Sequence, residues 1–182
     1  KKDAFLTFIK VWLLLLKIKP DIVHSHLFDA TQIGLPAAWL AGVKNRIYTR
    51  HHSSFNHVYH HHAVWLDKIS NKLATKIVSI SKNVSNILIN WEKVPIKKIV
   101  DIPHGIDFEL FNRVSSSNVN RLKNKYKLNK RFPIIGVISR YTHWKGIQYI
   151  IPAVEKLFKK YPNAILVLAN AKQGEYCSEI EK

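Results

Sequence analysis

"DIVHSHLFDATQIGLPAAWLAGVKNRIYTRH" (residues 21–51) decides the fold. A short strand, "DIVHSH", enters from the turn at Pro20, and "TQIGLPAAWLAG" reads as a helix that closes at Gly42. "RIYTRH" is a second short strand. Strands that are apolar rather than alternating, each joined to the next through a helix, belong to a parallel sheet covered on both faces. Towards the N-terminus, residues 4–16 suit a helix. Its run "VWLLLL" (Val11–Leu16) is far short of the ~20 residues that cross a bilayer and has no cleavage site after it, so it reads as a buried helix. Towards the C-terminus, "AVWLDKISNKLA" is a helix, "KIVSIS" a strand, Lys82 to Trp91 a helix capped by Ser81, and "KKIVDIP" a strand that runs into "HGID".

This alternation predicts an α/β layered fold. In such sheets ligands gather beyond the carboxyl ends of the strands. The loops that matter therefore begin at His24-Ser25-His26, Arg50-His51-His52, Ser79 to Ser81, and His104-Gly105-Ile106-Asp107. Residues 1–111 form one α/β domain in this reading. The polar, basic stretch 112–131, with three consecutive serines and weak helical periodicity from Val119 to Tyr126, is the expected connection. From 132 onward "FPIIGVIS", "GIQYIIPAVEKLFKKYP" and "AILVLAN" begin a second βαβ unit, too short to bury a core of its own. No Met occurs and the chain opens on Lys1-Lys2, so both domains are expected to be incomplete.

The formal charge is +17, from 29 Lys and Arg against 12 Asp and Glu. That balance suits nucleic acid, an anionic membrane or a phosphate-bearing substrate, and charge alone does not choose. The basic residues are scattered, as on a solvated surface. Trp39, Trp65 and Trp91 fall in predicted helices, where core packing is the usual explanation, and no nucleic-acid-binding motif occurs. A single Cys177 excludes an internal disulfide and fits a reducing, cytoplasmic setting.

"GVISRYTHWKGIQYI" (residues 136–150) places Arg140 and Lys145 beside a helix N-terminus, where unpaired N–H groups and the positive dipole end converge. A guanidinium grips phosphate oxygens through two N–H groups, an ammonium adds a mobile charge, and Gly146 lets the backbone come close. This is an anion site on spacing; two side chains ending in solvent are an equal reading on spacing alone.

"KPDIVHSH", "IPHGID" and "SRYTHWKGIQYIIPAVEKLFKKYPNAILVLAN", in this order and spacing, resemble the GT-B family of retaining glycosyltransferases of the family 4, group 1 type. The resemblance runs from about Lys19 to Gly174. It implies two Rossmann-like domains facing each other across a cleft, with a nucleotide-activated sugar held mainly by the C-terminal one. The family's Gly-Arg-Leu…Lys-Gly signature falls on Ser139, Arg140, Tyr141, Lys145 and Gly146, with Ser replacing the first Gly, so Arg140 and Lys145 are the implied donor-diphosphate pair. Its Thr-x-His falls on Thr49, Arg50 and His51, which puts His51 beside the transferred sugar. Gly105, in "IPHGID", is implied at the domain crossing on the donor side, where His104 stands in place of a more frequent Asn.

On the acceptor side the candidates are His26 and His52. His24 and His26 are expected on opposite strand faces, with His26 at the strand end aimed into the pocket. His52, His57, His60, His61 and His62 read as a flexible acceptor-side loop, with metal binding a distant second, since no carboxylate or Cys joins them at ligand spacing and the family is similar to metal-independent enzymes. The family's glycine-rich loop and paired glutamates lie outside the chain. Glu175, Glu179 and Glu181 do not replace them, and "NAKQG" (residues 170–174) stands where Gly-x-Gly is usual.

The resemblance thus implies transfer of a sugar from a nucleotide-diphosphate donor to a hydroxyl of a saccharide or lipid-linked acceptor, with retention of configuration. The donor is a substrate and no cofactor is needed. This piece alone is expected to be inactive. The basic face is able to dock on an anionic inner leaflet. The contrasting readings are a basic nucleic-acid-binding module and a non-catalytic sugar-nucleotide-binding module.

Overall fold

The computed structural model describes residues 2–169. The stretch 170–174, Cys177 and the glutamates at 175, 179 and 181 lie outside them. The elements run α1 Lys2–Ile18, β1 Ile22–His26, α2 Phe28–Leu40, β2 Asn45–Arg50, α3 Phe55–Tyr59, α4 Val64–Leu73, β3 Lys76–Ser79, α5 Lys82–Asn86, β4 Ile99–Asp101, α6 Glu109–Asn112, α7 Ser116–Lys125, β5 Ile134–Ile138, α8 Ile147–Lys160 and β6 Ile165–Ala169. Every strand pair is parallel. The alternating pattern in the sequence is therefore realised as an α/β fold.

The chain divides into two compact units, Lys1–Ile106 and Asp107–Lys182. The first carries the sheet β1-β2-β3-β4 in sequence order. Its register pairs His26 with Thr49, Arg50 with Ser79, and Ser79 with Asp101, which brings the four carboxyl ends level. Helix α2 packs on β1 and touches both α1 and α4. It comes so close to β1 that a methyl at Gly34 would sit 2.6 Å from Ser25 Oγ. Leu35, Tyr48, Ala74, Ile77, Val84, Leu88 and Val94 form the core between sheet and helices. Helix α5 begins as its sequence predicts, with Ser81 Oγ accepting from the Val84 N–H. It then widens into a π-turn over Ile87–Trp91.

The second unit holds β5 and β6, joined through α8. Tyr141, Ile147, Val154 and Ala164 are its buried apolar residues. The segment 112–131, expected to be a connection, carries helix α7, whose N-cap Ser115 accepts from the Asn118 N–H. Three serines in a row thus include a cap, for the reason that serine favours helix starts over helix interiors.

Three expectations fail here. The run Val11–Leu16 in α1 is a helix but not a buried one: Leu13, Leu14 and Leu16 are exposed. Trp39, Trp65 and Trp91 are not core residues: they are 55%, 58% and 52% exposed. In α4 the inward positions go to Asp67, Ser70 and Asn71, and in the π-turn to Ile87 and Leu88, so the indoles are turned outward. His24 and His26 are not on opposite faces either. Residues two apart on a strand share a face, and their rings lie 4.3 Å apart.

Candidate active site

The first unit gathers histidines at the carboxyl ends of its strands. His24 Nε2 lies 2.9 Å from Thr49 Oγ1, and His26 Nδ1 lies 3.3 Å from His51 Nε2. The His51 ring stacks on His104 at 5.6 Å and 25°. The register that sets His26 opposite Thr49 creates this group, because it aligns the ends of β1 and β2. His104 joins from the loop after β4. Of the residues named from sequence, His26 and His51 are thus in contact, and His24 and His104 belong with them.

Burial lowers the proton affinity of His51, and the neighbouring His26, His104 and His52 lower it further. His24 is lowered by burial first and then by His26 and His51. Packed imidazoles disfavour one another's charge. His24 and His51 are thereby biased towards the neutral form, in which a ring donates one hydrogen bond and accepts one.

His52 points elsewhere. Its Nε2 lies 3.4 Å from Asp67 Oδ2 and 3.2 Å from Asn56 Nδ2. It belongs to a buried charged network that the sequence did not reveal. At the centre is Arg50, 2% exposed, with NH1 at 2.6 Å from Asp67 Oδ1 and NH2 at 2.6 Å from Glu92 Oε1. Asn56 donates to Asp67 at 2.8 Å, Asn71 donates to Glu92 at 2.6 Å, and His57 Nε2 sits 3.1 Å from Glu92. The Tyr48 hydroxyl donates to Asn71, and burial pushes its pKa upward. Burial alone would raise the Asp67 pKa, but the His52 hydrogen bond, Arg50 and Asn56 outweigh it and hold the carboxyl below its usual value. Arg50 Nε also donates to the His52 carbonyl at 3.0 Å, which fixes the chain directly after His51.

The rest of the histidine run is not a structureless loop: His57 lies in α3, and His61 and His62 in a short 3-10 turn before α4. Among the described residues no group of three or more His, Cys, Asp or Glu is placed to hold a metal ion.

In the second unit Arg140 and Lys145 lie between β5 and α8, both exposed. The turn is tight. Thr142 N–H donates to the Arg140 carbonyl at 3.0 Å and Lys145 N–H to the Thr142 carbonyl at 2.9 Å. Gly146 occupies the left-handed region at φ 74 directly before α8, where a side chain would be strained. Buried Tyr141 and Ile147 anchor the two ends of the turn. Ser139 Oγ and Thr142 Oγ1 are shut off from solvent and have no hydrogen-bond partner among the described residues. Gly105, in the loop after β4, has open space where a side chain would be.

Parallel sheets in two units, with the polar residues collected at the strand ends, define an α/β fold of the GT-B type found in nucleotide-sugar glycosyltransferases. The crystal structure of Anabaena HepE in complex with UDP-glucose has a TM-score of 0.80 to this chain, at 20% identity, over 96% of this chain and 46% of that one. The chain belongs to Glycosyltransferase Family 4, whose model matches residues 2–110. It is similar to the Escherichia coli UDP-Gal:alpha-D-GlcNAc-diphosphoundecaprenol alpha-1,3-galactosyltransferase, 27% identical over 95% of this chain and 46% of that protein. It is also similar to the Staphylococcus aureus capsular polysaccharide biosynthesis glycosyltransferase CapM, 30% identical over 92% of this chain and 45% of that protein. The chain spans about half the length of these curated relatives.

Proposed function

We propose that this chain is part of a glycosyltransferase that moves a sugar from a UDP-sugar to a hydroxyl of a saccharide or lipid-linked acceptor, with retention of configuration. The observation that carries the reading is the β5–α8 turn. It presents two exposed cations, Arg140 and Lys145, beside two shielded hydroxyls, Ser139 and Thr142, that lack partners among the described residues. Oxygen-rich anions suit the two exposed cations. As the bond from the anomeric carbon to the diphosphate oxygen breaks, negative charge grows on the leaving oxygen, and cations already in place stabilise it with little reorganisation. Gly146 keeps the approach open, and Gly105 is assigned to the donor side by the family pattern.

His51 is assigned to a hydroxyl of the transferred sugar. A neutral imidazole paired with His26 suits that task, because it can accept as well as donate. His26 is placed on the acceptor side, and His52 orders the chain beside it through Asp67. The nucleotide sugar is a substrate, and no cofactor is invoked. The two relatives named for a UDP-Gal donor with a diphosphoundecaprenol acceptor and for capsular polysaccharide support both the donor class and an envelope acceptor. A UDP-sugar donor fits a cytoplasmic setting. No helix among the described residues is long and apolar enough to cross a membrane.

The test is UDP titration and turnover of the full-length protein carrying Arg140→Ala or Lys145→Ala. Each variant is expected to lose on the order of 100-fold or more in kcat, as when a preorganised charge partner is removed. NMR of the fresh product should give the donor's anomeric configuration. Unchanged UDP affinity and turnover in both variants would overturn the assignment of the turn, and an inverted product would overturn retention.

A further inference from the structure

We propose that Leu27 and Gln32 shape a small pocket beside His51 that takes the N-acetyl group of a 2-acetamido sugar in the acceptor. The inference deepens the proposed function, since it rests on a saccharide acceptor.

Leu27 stands where its residue type is least suited. It follows His26 at the end of β1 with φ 68 and ψ 161, a region almost confined to glycine. It is also the N-cap of α2, a position that favours Ser, Thr, Asn, Asp or Gly, and its side chain caps nothing. Core packing does not explain it, because the residue is 65% exposed. The conformation is held from both sides. His26 is registered against Thr49 in the sheet, and the Leu27 carbonyl accepts from the Thr31 N–H at 3.1 Å and from Thr31 Oγ1 at 2.7 Å. Strain maintained in this way at a strand end marks a side chain kept for contact with something else.

The lining selects the occupant. Leu27, Phe28, Gln32, Thr49, His51 and His52 border a hollow of about 10 Å³, room for one group the size of a water or a methyl. Arg50 and Asp67 also reach it, but they neutralise each other at 2.6 Å, so neither is left to bind a charged group. Thr49 Oγ1 is already engaged with His24. Gln32 keeps an open acceptor. Its Nε2 donates to Ser70 Oγ at 3.0 Å, the Ser70 proton goes to the Leu66 carbonyl at 3.0 Å, and Gln32 Oε1 has no partner among the described residues. Apolar walls at Leu27 and Phe28 call for a methyl, and Oε1 calls for an N–H. A hydroxyl would serve Gln32 and leave both walls unused. An acetamido group carries the methyl and the N–H in one planar unit, and its carbonyl oxygen can accept from the neighbouring imidazoles.

The test is saturation-transfer NMR of the full-length protein with methyl 2-acetamido-2-deoxyglucoside and with methyl glucoside, alongside melting curves, UDP titration and turnover. The acetyl methyl should receive the strongest saturation, and the plain glucoside should bind on the order of tenfold more weakly, the worth of one buried methyl and one hydrogen bond. Leu27→Ala keeps the strain and removes the wall, so it should weaken binding of the acetamido glycoside by about fivefold or more with UDP affinity unchanged. Leu27→Gly should weaken it equally and melt above the wild type, since glycine adopts this backbone without strain. An acetyl methyl without saturation, equal binding of the two glycosides, or Leu27 variants that bind as the wild type does would each overturn the proposal. A Leu27→Gly protein that melts below the wild type would show that the leucine serves the fold, and would overturn it too. A wild type that holds the acetyl methyl as expected but transfers nothing from a UDP-sugar would refute the proposed function and leave the pocket standing. Transfer to both glycosides with equal kcat/KM would keep the function and refute the pocket.

Discussion

Arg50 and Glu92 stand 42 residues apart in sequence and meet at 2.6 Å with both side chains closed to water. Asp67 closes the other side of the guanidinium at 2.6 Å. Charges so placed owe their stability to one another, because each would be costly to bury alone.

Replacing Arg50 with Met would leave two carboxylates buried without their cation. The expected loss is about 3–5 kcal/mol of folding stability, the range for removing one partner of a buried pair. Adding Glu92→Gln to that variant should return part of the loss, since one stranded charge is then gone. Urea denaturation of the two variants and the wild type gives the comparison. A loss below about 1 kcal/mol for Arg50→Met, the range of exposed pairs, would contradict the account.

The histidine cluster makes the protein acid-sensitive with a definite sign. His24 and His51 take up protons less readily in the fold than in the unfolded chain, first because of burial and then because of neighbouring imidazoles. The stability they contribute is therefore complete above the unfolded value near pH 6.5 and is lost as pH falls through their lower folded values. Asp67, also lowered, contributes stability above its ordinary value of 3.8 and loses it further down. Melting temperature should accordingly be level from pH 8 to about 7, decline below about 6.5, and decline again below about 4. His26→Ala removes an imidazole neighbour of both rings and should make the first decline shallower, with burial, the larger cause, keeping part of it, while leaving the second.

These side chains mark how far the sequence could be read. The strands, the cap at Ser81 and the turn holding Arg140 and Lys145 were legible, because each is signalled by periodicity or by residues a few positions apart. The Arg50 network was not, because its members come from β2, α4 and the segment after the π-turn, and only the parallel register brings them together. Two acids inside apolar elements of a strongly basic chain were the available signal. The same cause misplaced Trp65: an indole in a helix is usually core, but here polar Asp67 and Asn71 take the inward positions. The error over His24 and His26 was one of strand geometry.

Lys98 has a structural role that its sequence neighbourhood, a surface lysine pair, does not suggest. Its Nζ donates to the carbonyls of Asn71, Lys72 and Ala74 at 2.9, 3.2 and 2.7 Å, closing the C-terminal end of α4. Cations are favoured there by the helix dipole and by carbonyls without an intrahelical partner. Lys98→Met keeps the stem and removes the donors, and should cost about 1–2 kcal/mol in urea denaturation. Lys97→Met, one residue away on an exposed side chain, should cost less than about 0.5 kcal/mol.

Ser139 offers the sharpest discrimination at the donor turn. Its hydroxyl is shielded from solvent without a partner among the described residues, directly before Arg140. An unsatisfied buried hydroxyl costs about 1–3 kcal/mol, and a fold without use for it would gain by its loss. Ser139→Ala removes the oxygen and leaves the backbone preference nearly unchanged. If the hydroxyl donates to the diphosphate, the free protein should become equally or more stable while UDP binding weakens about tenfold, the value of one hydrogen bond to a charged group. Ser139→Gly should weaken binding similarly if the oxygen matters. It should instead bind as the wild type does if the turn needs only the small residue usual in the family. Calorimetric titration of UDP, paired with melting curves of the same samples, separates the outcomes: greater stability with unchanged UDP affinity in Ser139→Ala would remove Ser139 from the donor site.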